Sequence, residues 1–134
     1  MATPATFVLV GHCGADSYSI SNAVRRAVPG AAVVSADEPG ALDRQIKNGA
    51  VLLVNRVLDG GFHTDSGVEL IESLASRQPK PRMLLVSNYA DAQQAAVAAG
   101  ALPGFGKSEL GSARTSDQLR SLAAASQPAE APQK

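Results

Sequence analysis

Four short runs of the chain are apolar almost throughout: "TFVLV" (6–10), "AAVVS" (31–35), "AVLLV" (50–54) and "RMLLV" (82–86). None alternates apolar with polar as a half-exposed strand does. Each is too short for a helix and rich in valine or leucine, so each predicts a strand covered on both faces. Between them apolar residues recur at helical spacing. Ile20, Ala23, Val24, Ala27 and Val28 form one stripe, with Asp16 or Ser17 placed to cap its start and "PG" (29–30) to end it. Leu42 and Ile46 mark a shorter second helix, stopped by "NG" (48–49). "SGVE" (66–69) reads as a capping box before a third, with Leu70, Ile71 and Leu74 turned inward. "DAQQAAVAAG" (91–100) predicts a fourth helix ending on Gly100. "TSDQ" (115–118) reads as a capping box for a fifth, with Leu119 and Leu122 on its apolar side.

Strand and helix therefore alternate, with a fifth strand expected within 101–106. Right-handed crossovers then give a parallel sheet with helices on both sides. Five such units in about 120 residues fit the flavodoxin-like α/β fold, a (βα)5 three-layer sandwich with strand order 2-1-3-4-5. In that architecture chemistry gathers at the carboxyl ends of the strands. The positions to interrogate are those just after Val10, Val54, Val86 and Leu102.

A chain of 134 residues fits one domain. The expected division is an N-terminal tail (1–5), a domain (6–125) and a proline-rich, frayed tail "SQPAEAPQK" (126–134). Twelve basic and twelve acidic side chains cancel, which argues against nucleic acid as partner. The single cysteine, Cys13, has no internal partner and fits a reducing compartment. No apolar run is long enough to span a bilayer and the N-terminus lacks a secretion signal, so a cytoplasmic protein without membrane contact is expected.

At the strand ends the sequence resembles a response-regulator receiver domain. "VSNY" (86–89) puts Ser87 at that family's hydroxyl position. "AAGALPGFGKSE" (98–109) looks like its stretch leading to a lysine, here Lys107, with Phe105 near the aromatic position. "DSGVELIESL" (65–74) looks like the glycine-led start of its third helix, and the likeness spans roughly 6–124. The resemblance implies a phosphate-accepting aspartate after strand 3 and an acidic pair after strand 1. Neither is present: "LLVNR" puts Asn55 at the acceptor position, and "VLVGHCGAD" puts Gly11 and His12 in place of the acids. A loop about four residues longer than usual, around "GFHT" (61–64), follows strand 3.

A Mg²⁺ ion wants carboxylate oxygens, which Gly11, His12 and Asn55 do not supply. An amide is also no nucleophile toward a phosphoryl donor, so aspartyl phosphorylation is not expected. Asp16 and Asp59 lie several residues beyond a strand end and are not expected to take over. Lys107 is expected to donate to the Asn55 side-chain oxygen and hold the pocket in one arrangement.

Three other features invite chemistry. "GALPGFGKS" (100–108) suggests a phosphate loop, but counting back five from Gly106 reaches Ala101 rather than a glycine, so a glycine-rich turn is preferred. "GHCGAD" (11–16) places His12 and Cys13 at the functional edge. A packed structural role competes there with a metal or small-ligand site that adds His63, and with a reactive thiol near a helix start. The phosphatase spacing fails because Ser19 stands where an arginine is needed. Phe62 reads equally as a partner anchor or a core residue.

Two functions follow as expectations. One is a non-enzymatic, phosphorylation-independent receiver-like module without cofactor. It binds a protein partner or a second copy of itself through the faces around helix 4, strand 5 and helix 5. The other is a ligand, metal or thiol sensor centred on His12, Cys13 and His63.

Overall fold

In the computed structural model, which describes residues 5–125, the elements follow one another in strict alternation. They are β1 (Thr6–Val10), α1 (Gly14–Ala27), β2 (Ala32–Ala36), α2 (Pro39–Lys47), β3 (Val51–Asn55), α3 (Gly67–Ala75), β4 (Met83–Val86), α4 (Ala90–Ala99), β5 (Leu102–Phe105) and α5 (Ala113–Ala125). A single 3-10 turn, Lys107–Glu109, lies between β5 and α5. The strands form one parallel sheet in the order β2-β1-β3-β4-β5. This is the flavodoxin-like topology, and β2 to β4 sit one residue later than the apolar runs suggested at their starts.

The continuous apolar runs follow from burial on both faces. Phe7, Leu9, Leu53 and Leu84 pack with Ile20 and Val24 of α1 and Leu119 of α5. Val8, Val10, Leu52 and Leu85 face the other way, onto Leu42 of α2, Ile71 of α3 and Ala96 of α4. Successive side chains of a strand point to opposite faces, so a strand covered on both sides has no polar position to spare. Ala5 is itself buried and its carbonyl accepts from the Ala32 amide, so it belongs to the domain rather than to a tail. The tail expected at 126–134 lies outside the described residues.

Helix starts depart from the sequence expectations in ways that matter for the site. α1 begins at Gly14, where the Ser17 amide donates to the Cys13 carbonyl, and Cys13 gives no side-chain cap. Asp16 is therefore inside the first turn rather than ahead of it. α3 keeps half of its capping box: Ser66 Oγ accepts from the Glu69 amide at 3.2 Å. The Glu69 carboxylate instead takes the Thr64 hydroxyl at 2.7 Å. α5 is capped by Ser112, whose Oγ accepts from the Thr115 amide at 3.1 Å, so Thr115 lies within the helix and is buried. Glu38 caps α2 through the amides of Gly40 and Ala41, with Pro39 in the first helical position. Phe62 is half-buried and packs against the core beside α2 and α3, as its core reading expected.

Candidate functional site

The carboxyl ends of β3 and β4 and the segment after β5 converge on a cleft of about 270 Å³, lined by Asn55, Arg56, Val57, Ser87, Tyr89 and Lys107 among others. Asn55 is the last residue of β3. Its Nδ2 donates to the Gly11 carbonyl at 3.0 Å and to the Val57 carbonyl at 2.7 Å. Two carbonyl acceptors fix which end of the amide faces them, since only the NH₂ group can donate.

Gly11 occupies the left-handed region, φ +72°. A Cβ there would come 2.7 Å from Leu58 Cδ2 and 3.1 Å from Leu58 Cα. The loop after β3 thus folds back and puts a buried leucine where a side chain on residue 11 would project. Its return is fixed by the Asp59 amide, which donates to the Gly11 carbonyl at 2.9 Å. The Asp59 side chain is exposed and enters no bond with the cleft residues.

His12 turns inward and is 7 % exposed. Its Nε2 lies 2.9 Å from the Leu53 carbonyl, which assigns the proton to Nε2 and leaves Nδ1 without a partner. Burial pushes its pKa down to about 4, against the opposing pull of the Leu53 carbonyl, so the ring is neutral at physiological pH. Nearby Lys107 adds to the depression and Asp16 counters it.

Lys107 does not meet Asn55. Its Nζ lies 2.5 Å from Asp16 Oδ2, a pair formed between side chains about one-third exposed. This corrects the expectation that Lys107 would donate to the Asn55 oxygen and that Asp16 would stay out of the site. The cause is the early start of α1, which brings a full carboxylate within reach. A carboxylate outcompetes a neutral amide for an ammonium group. The bond to Lys107 is also the main reason why the Asp16 pKa is lowered, with the Cys13 thiol a lesser contributor.

Ser87 is buried at the end of β4. Its Oγ accepts from the Tyr89 amide at 3.1 Å, and its own amide donates to the Phe105 carbonyl at 3.0 Å. On the rim, the Arg56 guanidinium stands 4.7 Å from the Tyr89 ring centroid.

Gly11, His12, Asn55, Ser87 and Lys107 are thus all at the strand ends, but only Asn55, Ser87 and Lys107 line the same cleft. Cys13 is a free, exposed thiol. His63 sits elsewhere, on the groove between α2 and α3 with Phe62. Among the described residues no three His, Cys, Asp or Glu side chains are grouped to hold a metal ion. The residues at the strand ends do not fit a Mg²⁺ ion either. Residue 11 has no side chain, the His12 ring is turned to Leu53, and the Asn55 NH₂ group fills the corner between the Gly11 and Val57 carbonyls.

The pairing of Asp16 with Lys107, and the covering of Gly11 by Leu58, were not anticipated from the sequence. A signal existed for the first, because Asp16 lies one turn into a helix that opens directly after a strand. For the second, only the length of the loop gave a hint.

Solved structures of response-regulator receiver domains share this fold. A response regulator from Thermotoga maritima superposes with a TM-score of 0.69 at 16% identity, over 91% of this chain and 99% of that one. The non-phosphorylated receiver domain of the stress response regulator RcsB from Escherichia coli gives 0.66 at 16% identity, over 92% and 93%. The beryllofluoride-activated NtrC4 receiver domain dimer gives 0.66 at 15% identity, over 90% and 97%. No family model matches the chain, and no curated protein does. The chain therefore has the fold of these receiver domains, the five-stranded parallel sheet with its flanking helices. Among the described residues no helix is long and apolar enough to cross a membrane.

Proposed function

We propose that the protein is a receiver-like signalling module that works without aspartyl phosphorylation, binding a protein partner or a second copy of itself. The observation that carries this reading is Asn55 at the end of β3, with both N–H groups engaged by the carbonyls of Gly11 and Val57. A receiver switches by placing negative charge at this point and letting the surrounding hydroxyl and lysine respond to it. Here the point is neutral, the lysine has its carboxylate in Asp16, and the serine hydroxyl caps the turn into α4. The arrangement is closed on itself and needs neither metal nor phosphate.

The partner surface in this reading is the face of α4, β5 and α5, where Tyr89, Val97 and Leu102 are exposed. The dimeric state of the NtrC4 receiver is a precedent for self-association of the fold. The reading assigns the chain no catalytic step.

The test is incubation with acetyl phosphate and Mg²⁺, read by intact mass and by partner capture. The expected result is no phosphoryl increment and the same captured partner in both conditions. A phosphoryl group mapped to Asp16 or Asp59 overturns the reading.

A further inference from the structure

The stretch "PGFGKS" (103–108) carries two glycines one residue apart, and each is approached by a carboxamide. A Cβ on Gly104 would lie 2.0 Å from the Leu85 carbonyl oxygen and 2.8 Å from Gln93 Oε1. A Cβ on Gly106 would lie 2.2 Å from Asn88 Oδ1. All three atoms belong to the end of β4, the turn after it, and the first turn of α4.

Gln93 reaches back from α4 and spans the end of the sheet. Its Nε2 donates to the carbonyls of Leu85 at 2.9 Å, Ser87 at 3.0 Å and Phe105 at 3.3 Å. The site lies where the β4–β5 register slips, between the pairs Leu84–Leu102 and Val86–Phe105. Two steps along β4 oppose three along β5, so one β5 residue is extra. Pro103 within that bulge has no N–H to give the ladder. The Gln93 amide supplies donors that the irregular strand lacks. Asn88 makes the second tie: its Oδ1 accepts from the Ser108 amide at 3.1 Å and from Ser108 Oγ at 3.0 Å.

We propose that Gln93 and Asn88 are a double clasp that joins the β4–α4 turn to the β5–Lys107 segment, so that the two move as one rigid body. The clasp fixes α4 relative to β5 and holds Ser87 and Lys107 at a set separation across the cleft. Two glycines are needed because a side chain on residue 104 would strike the Leu85 carbonyl, with Gln93 Oε1 next in its way, and one on residue 106 would strike Asn88 Oδ1. The inference goes beyond the proposed function, since it does not depend on whether the cleft accepts phosphate.

The experiment is ¹⁵N relaxation dispersion with amide hydrogen exchange on the full chain. In the unsubstituted protein residues 87–93 and 103–108 are expected to lack microsecond-to-millisecond exchange. Gln93→Leu combined with Asn88→Ala is expected to introduce it in both segments. Exchange of the Ser87 and Ser108 amides should accelerate by about tenfold or more, as a local opening, with Val33 on β2 unchanged. Dispersion in both segments of the unsubstituted protein overturns the clasp, as does an unchanged rate in the double variant or an equal acceleration at Val33. Should the double variant fail to fold, Asn88→Ala alone decides at the exposed end of the clasp. Faster Ser108 exchange supports it and an unchanged rate overturns it.

Discussion

Lys107 and Asp16 are joined at 2.5 Å across the top of the sheet, linking the segment after β5 to the first turn of α1. The lysine is thereby paired with a carboxylate that comes from a helix rather than from a strand end. This pair, and the Asn55 amide held by two carbonyls beside it, define the resting state of the cleft.

Asp16→Asn removes the carboxylate and leaves Lys107 without its partner. The lowered pKa of Asp16 means that the folded state favours its ionised form. The stabilisation is fully present above the ordinary carboxylate pKa of about 3.9 and is lost as pH falls through the lower folded value. Both side chains are about one-third exposed, so solvent screening limits the effect to roughly 0.5–1 kcal/mol. Urea unfolding at pH 7 should show the variant weaker by that amount, and the difference should vanish in strong acid.

His12 acts in a different pH window and by burial rather than pairing. Its folded pKa of about 4 lies below the ordinary 6.5, so between those values the unfolded chain takes up a proton that the native chain refuses. Stability should therefore fall as pH drops from about 6.5 to about 4, by up to roughly 3 kcal/mol, and level off below. His12→Gln keeps a donor for the Leu53 carbonyl and should flatten the profile in that window. The ring titration followed by NMR gives the midpoint directly.

The fold was legible in the sequence because its signals are local and redundant. Apolar runs such as "AVLLV" leave no polar residue for solvent, and Gly49 and Gly100, both with positive φ, end α2 and α4 where the text of the chain suggests. The site was only half legible. The identity of residue 55 could be read at once, but its partners could not. Whether Lys107 meets Asn55 or Asp16 depends on where α1 starts, and Cys13 opens that helix without the side-chain cap that would have announced it. The inward turn of His12 likewise follows a left-handed backbone at Gly11, which Leu58 covers from the loop after β3.

Gly67 is set by a close approach of backbone to backbone. A Cβ there would lie 2.0 Å from the Asn55 carbonyl oxygen, an atom that cannot swing away as a side chain can. Gly67→Ala should destabilise the fold by about 3 kcal/mol, the upper range for overpacking, with a matching fall in Tm. A variant as stable as the parent would show that β3 and α3 are less closely apposed.

Asn55→Asp restores an acid at the end of β3 but removes the donors to the Gly11 and Val57 carbonyls. A carboxylate facing two carbonyl oxygens is left unsatisfied, at a cost of about 1–3 kcal/mol. Thermal unfolding should show the loss, and added Mg²⁺ should not recover it, because Gly11 and His12 bring no further carboxylate.

The most direct measurement is the ¹H–¹⁵N spectrum of the full chain with beryllofluoride and Mg²⁺, a mimic of the phosphorylated state. The account predicts that the amides of Asn55, Ser87 and Lys107 keep their positions at saturating reagent. Discrete new resonances for those residues, dependent on both beryllofluoride and Mg²⁺, would contradict it.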